Sequence, residues 1–253
     1  MSDPFVKRMR LDACLVDRGL STTRSRARDA ILRGHVRVDG RVETKASLGV
    51  ATNAVVTIDD PAQHYVSRAA LKLKAGLDRF GVVANGRTAL DVGASTGGFT
   101  QVLVENGAAH VVAIDVGHGQ MHPTLVGHPK ITVVEGLNAR DLTRDDLAGH
   151  AITLVVCDVS FISLTLALPP ALALAEHGAE GVFLIKPQFE AGREAIGKGG
   201  LLRDPREADM VCETLREWLD QQPGWQAAGL IESPIAGGDG NREFLLFGRK
   251  AVF

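Results

Sequence analysis

The stretch Ala89-Leu90-Asp91-Val92-Gly93-Ala94-Ser95-Thr96-Gly97-Gly98-Phe99-Thr100 constrains the chain more than any other. The apolar run over 88–92 predicts a buried strand with Asp91 near its carboxyl end. Glycines at 93, 97 and 98 let the backbone turn tightly and approach a ligand with no Cβ in the way. A helix is predicted from about Phe99. The spacing is not the G-x-G-x-x-G of dinucleotide sites, and no Gly-Lys-Ser/Thr ending marks a phosphate loop. The Asp-x-Gly-x-x-x-Gly-Gly turn suits a ligand without pyrophosphate, whose amino-acid end meets backbone groups. Taken alone, it also suits a strand-to-helix turn that binds nothing.

The net charge of −2 hides an asymmetry, since residues 1–50 carry 11 Lys/Arg against 6 Asp/Glu and the remainder 17 against 24. A basic front on a mildly acidic body suggests an anionic partner, although a solvated helix pair has the same signature. Cys14, Cys157 and Cys212 are scattered and odd in number, which argues against a disulfide framework or zinc site and for a reducing cytoplasm. No metal set is expected. No apolar run is long enough to span a bilayer, and Pro169-Pro170 interrupts the most apolar helical stretch, Leu164 to Ala175.

Helical spacing is predicted over 9–20, ending at Gly19. A second helix over 24–33 follows a cap from Ser21, Thr22 or Thr23, and a hairpin turns on Asp39-Gly40. Arg24 and Arg28 share one helix face near Arg33, with Lys45 just beyond the hairpin, a cluster able to grip RNA phosphates. Arg10-Leu11-Asp12, Ser21 to Ala27 and Ile31 to Gly40 resemble the S-four RNA-binding domain over roughly residues 8 to 60. The resemblance implies binding of structured RNA through Arg10, Arg24, Arg28, Arg33 and Lys45, but no chemistry.

Asp59-Asp60-Pro61 predicts a domain boundary, giving a front domain over 1–60, a linker over 61–66 and a larger domain over 67–253. Ser67 is read as the cap of a helix through Phe80. On it, Lys72 points either inward beside Leu73 or to solvent, while Lys74 snorkels. Strands then alternate with helices, at 88–92, 110–114, 131–134, 152–157 and 182–185, which predicts an α/β fold with a parallel sheet covered on both faces. Asp91, Asp115, Asn138, Asp158 and Lys186 all fall at or just after carboxyl ends, where such sheets bind ligands. Two further strands are expected at 225–232 and 242–248, joined by a glycine-rich turn over 235–241.

These strand ends read the opening loop as an S-adenosylmethionine site. The candidate cofactor residues are Asp91, Gly93, Ala94, Ser95, Thr96, Gly97, Gly98, Phe99, Asp115, Asn138 and Asp158. Asp115 can accept hydrogen bonds from ribose hydroxyls. Asn138 suits either the adenine edge or a turn, and Phe99 either the cofactor or the core. In a methyl transfer the protein aligns two ligands and manages one proton. Lys186 is the candidate base if burial beside a second cation such as Lys72 favours its neutral form, and Asp158 opposes that effect. Asp158 more naturally orients an amine.

Tyr65 to Leu73, Asp91 to Thr100, Cys157 to Phe161, Ile185 to Glu190, Gly197-Lys198-Gly199-Gly200 and Gly240 to Phe244 resemble the TlyA (hemolysin A) family. That family joins an S-four domain to an FtsJ-like methyltransferase domain of the Rossmann-like class I type, and the resemblance covers nearly the whole chain. It implies S-adenosylmethionine-dependent 2′-O-methylation of ribose, cytidine being the usual base, in ribosomal RNA within ribosomal subunits. The family's catalytic set falls on Lys72, Asp158, Lys186 and Glu243, and Lys198 joins the RNA-contacting candidates. Strand alternation by itself would leave Glu243 on a solvated sheet face. Ala69-Ala70 stand where glycine is common in the family, and Gln63-His64-Tyr65-Val66 departs from its Arg-x-Trp-Val linker. A monomer is the favoured expectation, with the oligomeric state open. The competing readings are a noncatalytic RNA-binding protein, a membrane-active hemolysin and a nicotinamide-dependent enzyme.

Overall fold

The computed structural model describes residues 8–237 and 240–252; Gly238 and Asp239 of the expected glycine-rich turn lie outside them. The chain forms two compact units that part between His64 and Tyr65.

The first unit runs β1 (Arg8–Arg10), α1 (Leu11–Asp17), α2 (Arg24–Leu32), β2 (Val36–Val38), β3 (Arg41–Glu43), β4 (Gly49–Ala51) and β5 (Val56–Ile58). The helix expected over 9–20 is shorter at both ends. Residues 8–10 pair with β4 as a strand, and Gly19, at φ 67°, turns the chain out of α1. Thr23 caps α2 by accepting a hydrogen bond from the Arg26 amide at 3.2 Å. Asp39 and Gly40, at φ 49° and 80°, form the left-handed pair that closes the β2–β3 hairpin. Leu11, Leu15, Ala27, Ile31 and Val36 make its core.

The second unit begins with α3 (Ala70–Phe80), β6 (Thr88–Val92), α4 (Gly98–Glu105), β7 (His110–Asp115) and β8 (Ile131–Glu135). It continues with β9 (Leu154–Cys157), α5 (Leu164–Ala167), α6 (Pro169–Leu174), β10 (Glu180–Ile185), α7 (Pro187–Glu190), α8 (Glu207–Asp220), β11 (Trp225–Glu232) and β12 (Phe244–Lys250). α3 starts three residues after Ser67, whose hydroxyl accepts from the Ala69 amide and whose carbonyl accepts from Ala70 in a tighter first turn. Pro169 splits the 164–175 stretch into α5 and α6, as its missing N–H requires.

The seven strands are ordered β11-β12-β10-β9-β6-β7-β8, with β12 antiparallel to both neighbours and the β8 to β10 block parallel. From β6 the chain moves outward through β7 to β8, then returns to β9 on the other side of β6. The loops therefore diverge above β6 and β9, and a crevice opens at their carboxyl ends. Strand residues alternate chiefly between two cores, while Ala113 of β7 joins a smaller cluster with Ala94, Met121 and Leu125. Leu90, Val155, Cys157, Phe183, Ile185 and Leu246 pack with α5, α6 and α8, whereas Ala89, Val156, Leu184 and Leu245 pack with α3 and α4. Among the described residues, no helix is long and apolar enough to cross a membrane.

Candidate active site

The alternation that builds the two cores also assembles the site. Asp91 has the parity of Ala89, Asp158 that of Val156, Lys186 that of Leu184 and Glu243 that of Leu245, so all four continue the face covered by α3 and α4. Because Ile185 is the register partner of Phe244, Lys186 and Glu243 are the next residues out along that antiparallel pair. α3 lies close on this face at Gly76, where a Cβ would meet Val182 Cγ1 at 3.0 Å. Lys72 stands one helical turn before Gly76 and shares its inward side. It is buried and forms an ion pair with the equally buried Glu243. Lys74 instead points out and pairs with Asp78 at 2.9 Å.

Lys186 Nζ lies 2.6 Å from Asp158 Oδ1 and donates to Ser160 Oγ at 2.7 Å. These groups border a small hollow of about 130 Å³ between Ser67, the glycine loop and Lys186. A larger open cleft of about 840 Å³ adjoins it above β7 and β8, and Gly93, Ser95, Asp158 and Ser160 line both. In the loop, Gly93 is at φ 81°, and a Cβ there would come within 2.9 Å of the Asp158 carbonyl oxygen, so only glycine lets the loop lie this close to β9. Gly97, at φ 91°, starts α4, and its Cβ would strike Leu125 and Met121. Gly98 packs on Ser67. Ala94 is buried, Thr96 borders the small hollow, and Ser95 takes the left-handed φ of 47°.

Asp91 is fully buried, accepts from Thr100 Oγ1 at 2.6 Å through one oxygen and has no partner for the other. Burial pushes its carboxyl up to about 7; the Thr100 hydrogen bond opposes this and the charge of Asp158 adds to it. Asp115 opens to the larger cleft, its oxygens accepting from the Ser95 amide at 2.8 Å and the Gly117 amide at 2.7 Å. Asn138 has the turn role open to it in sequence terms, its Oδ1 capping a short turn by accepting from the Arg140 amide at 3.1 Å, and it also lines the larger cleft. Phe99 belongs to the core beneath α4 and also borders the small hollow.

Gln120 and Phe161 line the larger cleft and carry no role in the sequence reading. Gln120 reaches Ser95 Oγ at 3.1 Å, and its loop is held by Glu135, which accepts from the Gly119 and Gln120 amides at 2.7 and 3.1 Å. Phe161 is 89% exposed, has φ 65° and packs at 4.9 Å against Phe189. Its one sequence signal is a position three residues past Asp158, in a loop rather than a core.

In the first unit, Arg28 and Lys45 are exposed. Arg10 and Arg24 both pair with buried Asp12, at 3.0 and 2.9 Å, and hold its carboxyl well below the usual carboxylate range. Arg33 departs from a phosphate-facing position: it is only 15% exposed and is bound to Asp29 at 2.9 Å and Asp60 at 2.7 Å. Lys198, in the second unit, is exposed.

The strand order, the glycine loop at the switch point and the polar strand ends define a Rossmann-like methyltransferase domain. Residues 65–250 match the FtsJ-like methyltransferase family and residues 9–56 the S4 domain. The chain is 44% identical to the 16S/23S rRNA (cytidine-2′-O)-methyltransferase TlyA of Mycobacterium tuberculosis over 96% of its length and 90% of that protein. It is 36% identical to Hemolysin A of Brachyspira hyodysenteriae, covering 94% and 98% of the two chains. A candidate hemolysin of known structure from Streptococcus thermophilus superposes with a TM-score of 0.75 at 35% identity, covering 97% of this chain and 90% of that one. This chain belongs to the FtsJ-like methyltransferase family, in the TlyA group that carries an S4 domain ahead of the catalytic domain.

Proposed function

We propose that the protein transfers a methyl group from S-adenosylmethionine to the 2′-hydroxyl of a cytidine in ribosomal RNA. The observation that carries this reading is the Lys186–Asp158 pair, in which Lys186 borders the small hollow and Asp158 lines both hollows, with the Lys72–Glu243 pair on the same sheet face.

The residues at the glycine loop fit that cofactor. The partnerless oxygen of buried Asp91, and Asp158 beside the close turn at Gly93, answer a cationic amino-acid end. Asp115 retains lone pairs for ribose hydroxyls beyond the two backbone N–H groups it already accepts. Asn138 and Gln120 border the remainder of the cleft. When bound, S-adenosylmethionine supplies a methyl group already activated by its sulfonium.

The protein's work is alignment and charge. A ribose hydroxyl gains negative character as its proton passes to solvent water, and Lys186, held by Asp158 and Ser160, presents a fixed cation to that oxygen. With its Nζ held between Asp158 and Ser160, Lys186 acts in this reading as an orienting and charge-stabilising group. Glu243 holds Lys72 in place as a second cation of the site. Phe161, exposed at the cleft edge, offers a face on which an unstacked base can rest. The S4 unit supplies affinity for folded RNA, chiefly through Arg28, Lys45 and the exposed sides of Arg10 and Arg24; Lys198 is a further phosphate contact.

The test is transfer of tritiated methyl from S-adenosylmethionine to unmethylated ribosomal subunits, with the modified nucleotide mapped by mass spectrometry. A 2′-O-methylcytidine formed far more slowly in the Lys186→Ala reaction is expected; no transfer by the unaltered protein to either subunit would overturn the reading.

A further inference from the structure

Two short segments meet in step beside the site. Along the loop that leaves β9, Asp158 and Ser160 bind Lys186, Phe161 packs on Phe189, and Ser163 with Leu164 meets Glu190. The Glu190 carboxylate accepts from Ser163 Oγ at 2.5 Å and from the Leu164 amide at 2.8 Å. The second donor, the Leu164 N–H, belongs to a buried residue at the start of α5, where no carbonyl of the helix can receive it. Between the Lys186 and Glu190 attachments stands Phe161 at φ 65°, a conformation that persists in an L residue only where its surroundings over-determine it.

We propose that Glu190 is a positioning residue for the acceptor side of the site, fastening the outer end of the 158–164 loop so that Asp158 and Phe161 keep their places relative to Lys186. This rests on the function proposed above. Glu190 itself borders a groove on the α8 side rather than either hollow of the site, so it acts through the loop and not on the reacting groups. Its partial burial raises its pKa, against the two hydrogen bonds from Ser163 and Leu164. Without the carboxylate, the Lys186 attachment remains but the loop beyond Ser160 loses two of its fixed points.

The experiment compares Glu190→Ala with Glu190→Gln. The amide of glutamine can still accept from Leu164 through Oε1 and donate to the Ser163 hydroxyl. In Glu190→Ala, kcat for rRNA methylation is expected to fall by about 10²-fold, as loop displacements near a reaction do. S-adenosylmethionine affinity is expected to hold within a few-fold, and Glu190→Gln to recover most of the turnover. Hydrogen exchange of the 158–166 peptide, read without any substrate, is expected to quicken by about tenfold in Glu190→Ala with β9 and β10 unchanged. Wild-type turnover with unchanged exchange in Glu190→Ala would overturn the proposal. So would parallel loss of cofactor affinity, turnover and β9–β10 protection without rescue by glutamine, which marks a general structural role. Absence of methylation by the unaltered protein would defeat the proposed function alone, since the exchange comparison still decides whether Glu190 fastens the loop.

Discussion

Lys72 and Glu243, 171 positions apart, form an ion pair inside the protein, the lysine from α3 and the glutamate from the position just before β12. Taking two charges out of water is costly, and the pair is tolerable because each neutralises the other; removal of one partner leaves the other buried and uncompensated. Its presence beside the Lys186–Asp158 pair is an expense that a purely structural sheet end would not require.

A single substitution at this pair, Glu243→Gln or Lys72→Met, should therefore destabilise the second unit by about 3 to 5 kcal/mol, measured as a shift in urea midpoint at constant slope. The double change Lys72→Met with Glu243→Leu should restore most of that stability without restoring methylation. Recovery of activity in the stable double variant would remove the pair from the catalytic machinery.

Lys186→Ala should separate binding from turnover. Lys186 borders the small hollow, and the loop glycines, Asp91 and Asp115 lie outside its contacts. Equilibrium titration should find S-adenosylmethionine affinity within a few-fold of the unaltered protein. Single-turnover methylation should slow by about 10² to 10³, the usual cost of losing one preorganised charge. Equal losses in affinity and rate would reassign Lys186 to cofactor binding.

The strand ends were legible in the sequence because buried parallel strands read as continuous apolar runs, and a charged residue after such a run marks the carboxyl edge. Asp91, Asp115, Asp158 and Lys186 all carried that signal. Glu243 carried none: the period-two pattern leaves open which layer covers its face, and the answer lies on α3, far away in sequence. Lys72 is ambiguous for the same reason, until Gly76 fixes which side of α3 approaches the sheet. Arg33 looked like a neighbour of Arg24 and Arg28 because its partner Asp60 enters from beyond β5. Phe161 went unread because an exposed aromatic in a loop has no periodic context to betray it.

The buried carboxyl of Asp91 makes stability fall as pH rises. Its pKa in the folded protein, about 7, lies above the ordinary 3.8, so between these values the folded state keeps a proton that the unfolded chain has released. The advantage is complete below pH ~4 and is lost as pH climbs through 7, at a limiting rate of about 1.4 kcal/mol per pH unit. Asp91→Asn should remove this slope, gaining on the unaltered protein over that interval and running parallel above it. A cationic cofactor favours the ionised form, so S-adenosylmethionine affinity should rise over the same interval only in the unaltered protein. A stability difference that does not vary with pH would refute the assignment.

The basic residues of the first unit should divide into two kinds. Arg28 and Lys45 are exposed, so Arg28→Glu should lower RNA affinity uniformly and reduce the slope of log K against log salt by roughly 0.7 to 0.9, the value for one phosphate contact. Arg24→Glu should do the same and also lower stability, because Arg24 helps hold Asp12 in its ionised, buried position. Arg33→Ala should behave differently. Its guanidinium joins α2, through Asp29, to the segment after β5, through Asp60, and little of it reaches solvent. Its loss should lower the melting temperature of the unit while the salt slope, measured below that temperature, stays unchanged. A drop in salt slope equal to that of Arg28→Glu, with stability intact, would return Arg33 to the RNA-facing surface.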